Sequence, residues 1–166
     1  MTLATRISRV VFAAVVLAVG IVVGPVAIAP AAHAAGFDPG MIISDANFYN
    51  STAMTTLEIQ AFLESKGSAC VSAGQSTPCL KDYREDTSSR AATARCGVYT
   101  GRSNQSSAQI LYDVARVCGV NPQVLIVTLQ KEQSLITRST TTARSIQIAM
   151  GYGCPDTAPC ESQYYG

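Results

Sequence analysis

The chain has 166 residues, and its twelve Lys and Arg nearly balance its eleven Asp and Glu, leaving no basic field of the kind that attracts nucleic acid. Its only histidine, His33, lies in an apolar leader. The rest of the chain, one modest domain's worth, therefore cannot run a Ser-His-Asp or Cys-His mechanism or build the usual catalytic zinc site, and any chemistry must come from carboxylates, tyrosine, lysine or serine.

The leader, residues 1–35, has the layout of a secretory signal peptide. Arg6 and Arg9 form a basic start, residues 10–28 are apolar, and Ala32-His33-Ala34 gives the small-x-small pattern of a cleavage site, so cleavage is expected after Ala34 or Ala35. The apolar run is close to bilayer-spanning length, which makes a retained anchor the rival reading. Gly24-Pro25 and the alanine-rich tail favour cleavage, so contact with a membrane is expected only through this segment before it is removed. No second hydrophobic span follows.

All six cysteines, Cys70, Cys79, Cys96, Cys118, Cys154 and Cys160, lie after the leader. An even number in an exported chain predicts three disulfides and an extracellular or wall-associated location. Six cysteines allow 15 pairings, and we expect neighbours to join: Cys70 with Cys79, Cys96 with Cys118, Cys154 with Cys160. A zinc site would need C-x-x-C spacing or histidines, so neither a metal nor another cofactor is expected.

Residues 36–54 read as an extended lead-in with a turn at Pro39-Gly40. The first helix follows in "MTTLEIQAFLESKG". Thr55 and Glu58 have capping-box spacing, Met54 and Ile59 can form a hydrophobic staple, Ile59, Phe62 and Leu63 mark the buried stripe, and Gly67 stops the helix. Residues 68–105 show little apolar periodicity and are expected to form a long loop region pinned by disulfides. Within it, "KDYREDTSSR" reads as a solvated turn with local ion pairs, or as a contact for a polymeric ligand.

A second helix is expected in "SSAQILYDVARVCG", capped by Ser106 or Ser107 and stopped at Gly119. Ile110, Leu111, Val114 and Val117 form its apolar side, and Asp113 and Arg116 pair on its polar side. In the third, Asn121 is a natural N-cap and Pro122 suits the first helical position, and the apolar pattern continues to about Ile136. A threonine-rich loop, a short helix in "ARSIQIAMGYG" ending at Gly151, and the small ring "CPDTAPC" complete the chain. It stops at "SQYYG" with no cap or polar ending, which reads either as a truncated chain or as a genuine terminus.

Most carboxylates have ordinary roles: Glu58 caps, Asp113 has Arg116, and Asp82, Glu85 and Asp86 sit among Lys81, Arg84 and Arg90. Glu132 does not. Its neighbours three and four residues away are Thr128, Leu129, Leu135 and Ile136, so no cation is expected to meet it along its helix, and it falls on the apolar face with Leu125 and Leu129. Desolvation and the negative end of the helix dipole both disfavour a carboxylate anion there, which suits a proton donor to a glycosidic oxygen. If the helix ends earlier, Glu132 instead points to water.

The helix "NPQVLIVTLQKEQS" resembles the P-x-x-L-L-A-x-x-x-x-E-S helix of the soluble lytic transglycosylases and goose-type lysozymes, in which one essential glutamate ends the helix. The resemblance implies a mainly α, lysozyme-like helical domain over residues 55–166, with disulfide-pinned loops and with Glu132 as general acid and base. Gln133 separates Glu132 from Ser134, a departure from the family's Glu-Ser. The family's G-L-M-Q segment has only a loose counterpart in "AMGYGCPD", at Gly151, Tyr152 and Gly153. The lead-in resembles secreted actinobacterial proteins described as haemagglutinin-like or lysozyme-like, and those relatives are expected to continue past "QYYG".

The resemblance implies that Glu132 protonates the glycosidic oxygen and then activates the sugar's own 6-hydroxyl, giving an anhydro product. Hydrolysis would call for a second carboxylate, for which Asp156 is the candidate, although it reads first as a turn residue of the small ring. Tyr152 is the candidate sugar platform, or else packs on the core. The expected partner is peptidoglycan or another cell-surface glycan, cleaved through Glu132. The alternative is a non-catalytic wall-binding or adhesion module on the same scaffold. A small secreted inhibitor would explain the cysteines but not Glu132.

Overall fold

The computed structural model describes residues 38–165, so the signal peptide expected over residues 1–35 lies outside the described residues. Within them the chain is mainly helical. Helices α1 (Asp45–Phe48), α2 (Thr56–Lys66), α3 (Ser107–Cys118), α4 (Pro122–Gln133) and α5 (Ala143–Gln147) are joined by loops, with two-residue strands β1 (Arg84–Glu85) and β2 (Gln105–Ser106). The strands pair antiparallel, Arg84 opposite Ser106 and Glu85 opposite Gln105. No helix among the described residues is long and apolar enough to cross a membrane.

Local chemistry sets the helix ends. Thr55 Oγ1 accepts from Glu58 N at 3.2 Å while Glu58 Oε2 accepts from Thr55 N at 2.8 Å, a complete capping box that satisfies two donors at the start of α2. Thr55 Oγ1 also donates to Glu58 Oε2 at 2.8 Å, and the hydrogen bonds from Thr55 N and Thr55 Oγ1 hold the Glu58 carboxyl below its ordinary value, the backbone one contributing most. Gly67 ends α2 for reasons of space: a Cβ there would lie 2.6 Å from the Leu63 carbonyl oxygen and 3.1 Å from that of Ile136. Ser106 caps α3 and Gly119 closes it in the left-handed conformation. Asn121 caps α4 through Gln123 N at 2.9 Å, with Pro122 in the first turn.

The core joins Ile59 and Leu63 of α2, Ala108 and Leu111 of α3, and Ile126 and Leu129 of α4 with Leu80, Leu135 and Ile136. Each leucine or isoleucine side chain among them contributes about 1.5–3 kcal/mol on full burial. The buried face of α3 is not the expected one. Ala108 and Ala115 are completely enclosed with Leu111, whereas Ile110, Val114 and Val117 are only half-buried. The small alanines form the tightly packed face, and the larger residues stand beside it.

Three further expectations change. The lead-in is not wholly extended, because Ser44 caps the single turn α1; its end is fixed where Asn121 N donates to Phe48 O at 2.8 Å and Asn121 Nδ2 to Asn47 O at 2.9 Å. The 68–105 region contains β1, and its side chains alternate: Tyr83, Glu85 and Thr87 are half-buried while Arg84 and Asp86 are exposed. Asp113 pairs not with Arg116 but with Arg102 at 3.3 Å, because the β1–β2 pairing carries Arg102 to α3; Gln105 Nε2 adds a hydrogen bond to the same carboxylate at 2.9 Å. Disulfides join Cys70 to Cys79, Cys96 to Cys118 and Cys154 to Cys160.

Candidate functional site

Helix α4 stops at Gln133, short of the expected Ile136, because Ser134 turns left-handed at φ 53°. The reversal lets Leu135 and Ile136 enter the core while α4 stays short. Gln130 secures it from within the helix, its Oε1 accepting from Ile136 N and Thr137 N at 3.2 Å each and its Nε2 donating to Thr137 Oγ1 at 3.0 Å. Glu132 is thereby fixed in the final turn, beside the negative end of the helix dipole.

Its surroundings are not purely apolar. Lys131 Nζ lies 2.8 Å from Glu132 Oε1, so the countercharge absent at three and four residues' distance comes from the adjacent residue. The lysine side chain is 77% exposed and the glutamate side chain 29%. The carboxylate, through its hydrogen bond and its charge, holds the Lys131 ammonium above the ordinary lysine value, and the charge of Asp156 adds in the same direction. Asp156 itself is exposed in the small ring.

On its other side Glu132 meets Gly151. The glycine has φ 68°, and a Cβ on it would fall 2.7 Å from Glu132 Cδ, so the carboxyl group occupies the space a side chain would need. Gly153, also left-handed, is covered in the same way by the ring of Tyr164. Tyr164 meets Tyr152 edge to face, with ring centroids 4.6 Å apart at 76°. Tyr152 is 70% exposed and Tyr164 44%, so this pair presents aromatic surface next to the Glu132–Gly151 contact. Glu161 N donates to Gly153 O at 2.8 Å across the Cys154–Cys160 ring, and Arg144 of α5 lies over the Tyr165 ring at 5.0 Å, fixing the tail that carries Tyr164.

Glu132, Tyr152 and the ring of Asp156 therefore share one region, joined by Lys131 and Tyr164, which sequence reasoning did not single out. The signal for Tyr164 was present in the pair of tyrosines near the end, but nothing local ties them to Glu132.

An apolar hollow of about 240 Å³ lies alongside rather than at Glu132. Ile110 and Val114 of α3 and Leu125 and Leu129 of α4 form two of its walls, with Ile146 and Met150 opposite. It stops at Leu129 and Met150, one turn before Glu132 and one residue before Gly151; Glu132, Tyr152 and Asp156 are not part of its lining. The site can offer a half-buried carboxyl, an ammonium that neutralises it, and an exposed aromatic edge.

No curated protein and no solved structure matches the chain. The family model described as the LasA N-terminal domain matches residues 41–163, which takes in the core, all three disulfides and the Glu132–Gly151 contact, and the chain belongs to that family.

Proposed function

We propose that the chain is a secreted domain that acts on bacterial cell-wall peptidoglycan, with Glu132 as its general acid and base on a lysozyme-like helical scaffold. The observation that carries this reading is the seating of the Glu132 carboxyl in the last turn of α4 against a glycine that makes room for it. Glu132 protonates the glycosidic oxygen as positive charge grows on the sugar ring, and the resulting carboxylate then takes the proton of the attacking hydroxyl. With the sugar's own 6-hydroxyl as nucleophile, one carboxylate suffices. Tyr152 and Tyr164 offer ring faces and edges for a sugar to lie against. Export is supported by six cysteines that all form disulfides and by the layout of the leader.

One observation favours a second reading. Glu132 is paired with Lys131 and lies outside the apolar hollow, an arrangement that suits a wall-binding or adhesion module with no cleavage step. The two separate on incubating the protein and its Glu132→Gln variant with purified glycan strands and analysing product ends by mass spectrometry. Anhydro ends from the unaltered protein alone support the transglycosylase, and new reducing ends support hydrolysis. Strand binding by both proteins without new ends defeats catalysis and leaves the binding module.

A further inference from the structure

The hollow beside Glu132 is mostly apolar; Ser107, whose hydroxyl donates to Tyr83 O at 3.4 Å, and the Tyr83–Glu85 pair are its polar lining, and Glu85 is its one ionisable carboxylate. Glu85, half-buried in β1, borders it, and Tyr83 hydroxyl donates to Glu85 Oε2 at 3.1 Å. Among the described residues the ion pairs are Arg102–Asp113 and Lys131–Glu132, so Glu85 has no cation. Its sequence neighbour Arg84 faces the other side of the strand and donates to Asn104 O at 3.0 Å. Arg90 borders a neighbouring hollow with Glu85 and forms no ion pair with it. Burial, followed by the charge of Glu85 and the hydrogen bond to it, pushes the Tyr83 phenol above its ordinary value, so Tyr83 remains a donor that fixes one oxygen of the carboxylate.

Size and polarity narrow what fits. A hollow of about 240 Å³ is below the roughly 300–1,000 Å³ of pockets for drug-sized ligands and matches one long side chain. A sugar ring there would bring more hydroxyls than Glu85, Tyr83 and Ser107 can partner, and an anion would meet Glu85. A purely apolar occupant would strip water from the carboxylate and return nothing. The remaining class has an aliphatic stem and a cationic end.

We propose that this groove binds an aliphatic chain ending in an ammonium group, its stem against Val114, Leu129 and Ile146 and its ammonium on the free oxygen of Glu85. The side chain of a lysine or another diamino acid has this form. Its assignment to the diamino acid of a wall peptide rests on the proposed function, whereas the alkylammonium chemistry does not.

Titration of the isotope-labelled protein with n-pentylammonium, n-pentanol and pentanoate, followed by methyl and amide NMR, tests this. Saturable shifts at Val114, Leu129 and Ile146 are expected for pentylammonium, with pentanol binding about tenfold more weakly and pentanoate not at all. Glu85→Gln should bring pentylammonium down to the level of pentanol. Pentanol binding as tightly as pentylammonium, or no shift with any of the three, overturns the proposal, and this comparison on the unaltered protein holds even if the variant fails to fold. A protein that binds pentylammonium here but leaves glycan strands uncut refutes only the catalytic reading of Glu132, so the two failures remain distinct.

Discussion

The carboxyl group of Glu132 packs against Gly151 in the space that a Cβ on that residue would need. The contact joins the end of α4 to the turn after α5, two segments that no hydrogen bond among the described residues ties together at this point. A left-handed residue with no side chain and a half-buried acid are thus matched, each defining the other's position.

Gly151→Ala should expose this dependence. An L-residue in the left-handed region costs about 1–2 kcal/mol, and the new methyl must also push the Glu132 side chain aside. Urea unfolding should show a loss of at least that size, and any strand-cleaving activity should fall in parallel with displacement of Glu132. Unchanged stability and activity in the alanine variant would mean that the contact positions nothing.

Lys131→Met should act on the acid rather than on the fold. The Lys131 ammonium is bonded to Glu132 Oε1, so removing it takes away the cation that orients and neutralises the carboxyl proposed as the acid. If Glu132 is the proton donor, the rate of strand cleavage changes in the methionine variant. Little change in melting temperature is expected, because Lys131 is largely exposed. An unchanged cleavage rate argues that the ion pair has no part in the chemistry.

Glu58 gives a pH dependence of stability with a definite sign. Its carboxyl is held below the ordinary glutamate value by Thr55 N and Thr55 Oγ1, so the stabilisation is fully present above that ordinary value and is lost as pH falls through the lower, folded one. Glu58→Gln keeps a hydrogen-bonding group at the capping position and removes the charge. The variant should melt below the unaltered protein at about pH 7 and match it at about pH 2, as scanning calorimetry at both values would show. A constant difference would place the effect in packing instead.

The helix starts were legible because their causes are local: Thr55 with Glu58, Ser106 with Gln109, and Asn121 with Pro122 all act within four residues. The end of α4 was not legible, since the left-handed turn at Ser134 is stabilised by Gln130 reaching forward six and seven residues. Helical spacing at three and four residues correctly found no partner for Glu132, yet the long, largely exposed Lys131 side chain reaches it in the last turn from the adjacent position. The alternation of Tyr83, Glu85 and Thr87 was hidden because both faces of β1 carry polar residues, so no contrast in hydropathy revealed its period of two. Arg102 and Tyr164 reach their partners only through tertiary folding, which local spacing does not encode.

The disulfides separate stability from function. On loop-closure entropy, opening the 22-residue Cys96–Cys118 loop should cost about 3 kcal/mol, and opening the six-residue Cys154–Cys160 loop about 2 kcal/mol. The smaller ring nonetheless carries Asp156 and leads into Tyr164, which covers Gly153 and meets Tyr152 next to Glu132. Replacing Cys154 and Cys160 by serine should therefore weaken glycan binding more than replacing Cys96 and Cys118, although it destabilises the fold less. Denaturant unfolding of both double variants, paired with strand-binding assays under conditions where each remains folded, reads the two effects separately. Binding losses that simply follow the stability losses would mean that the tyrosine pair and the ring act only as part of the scaffold.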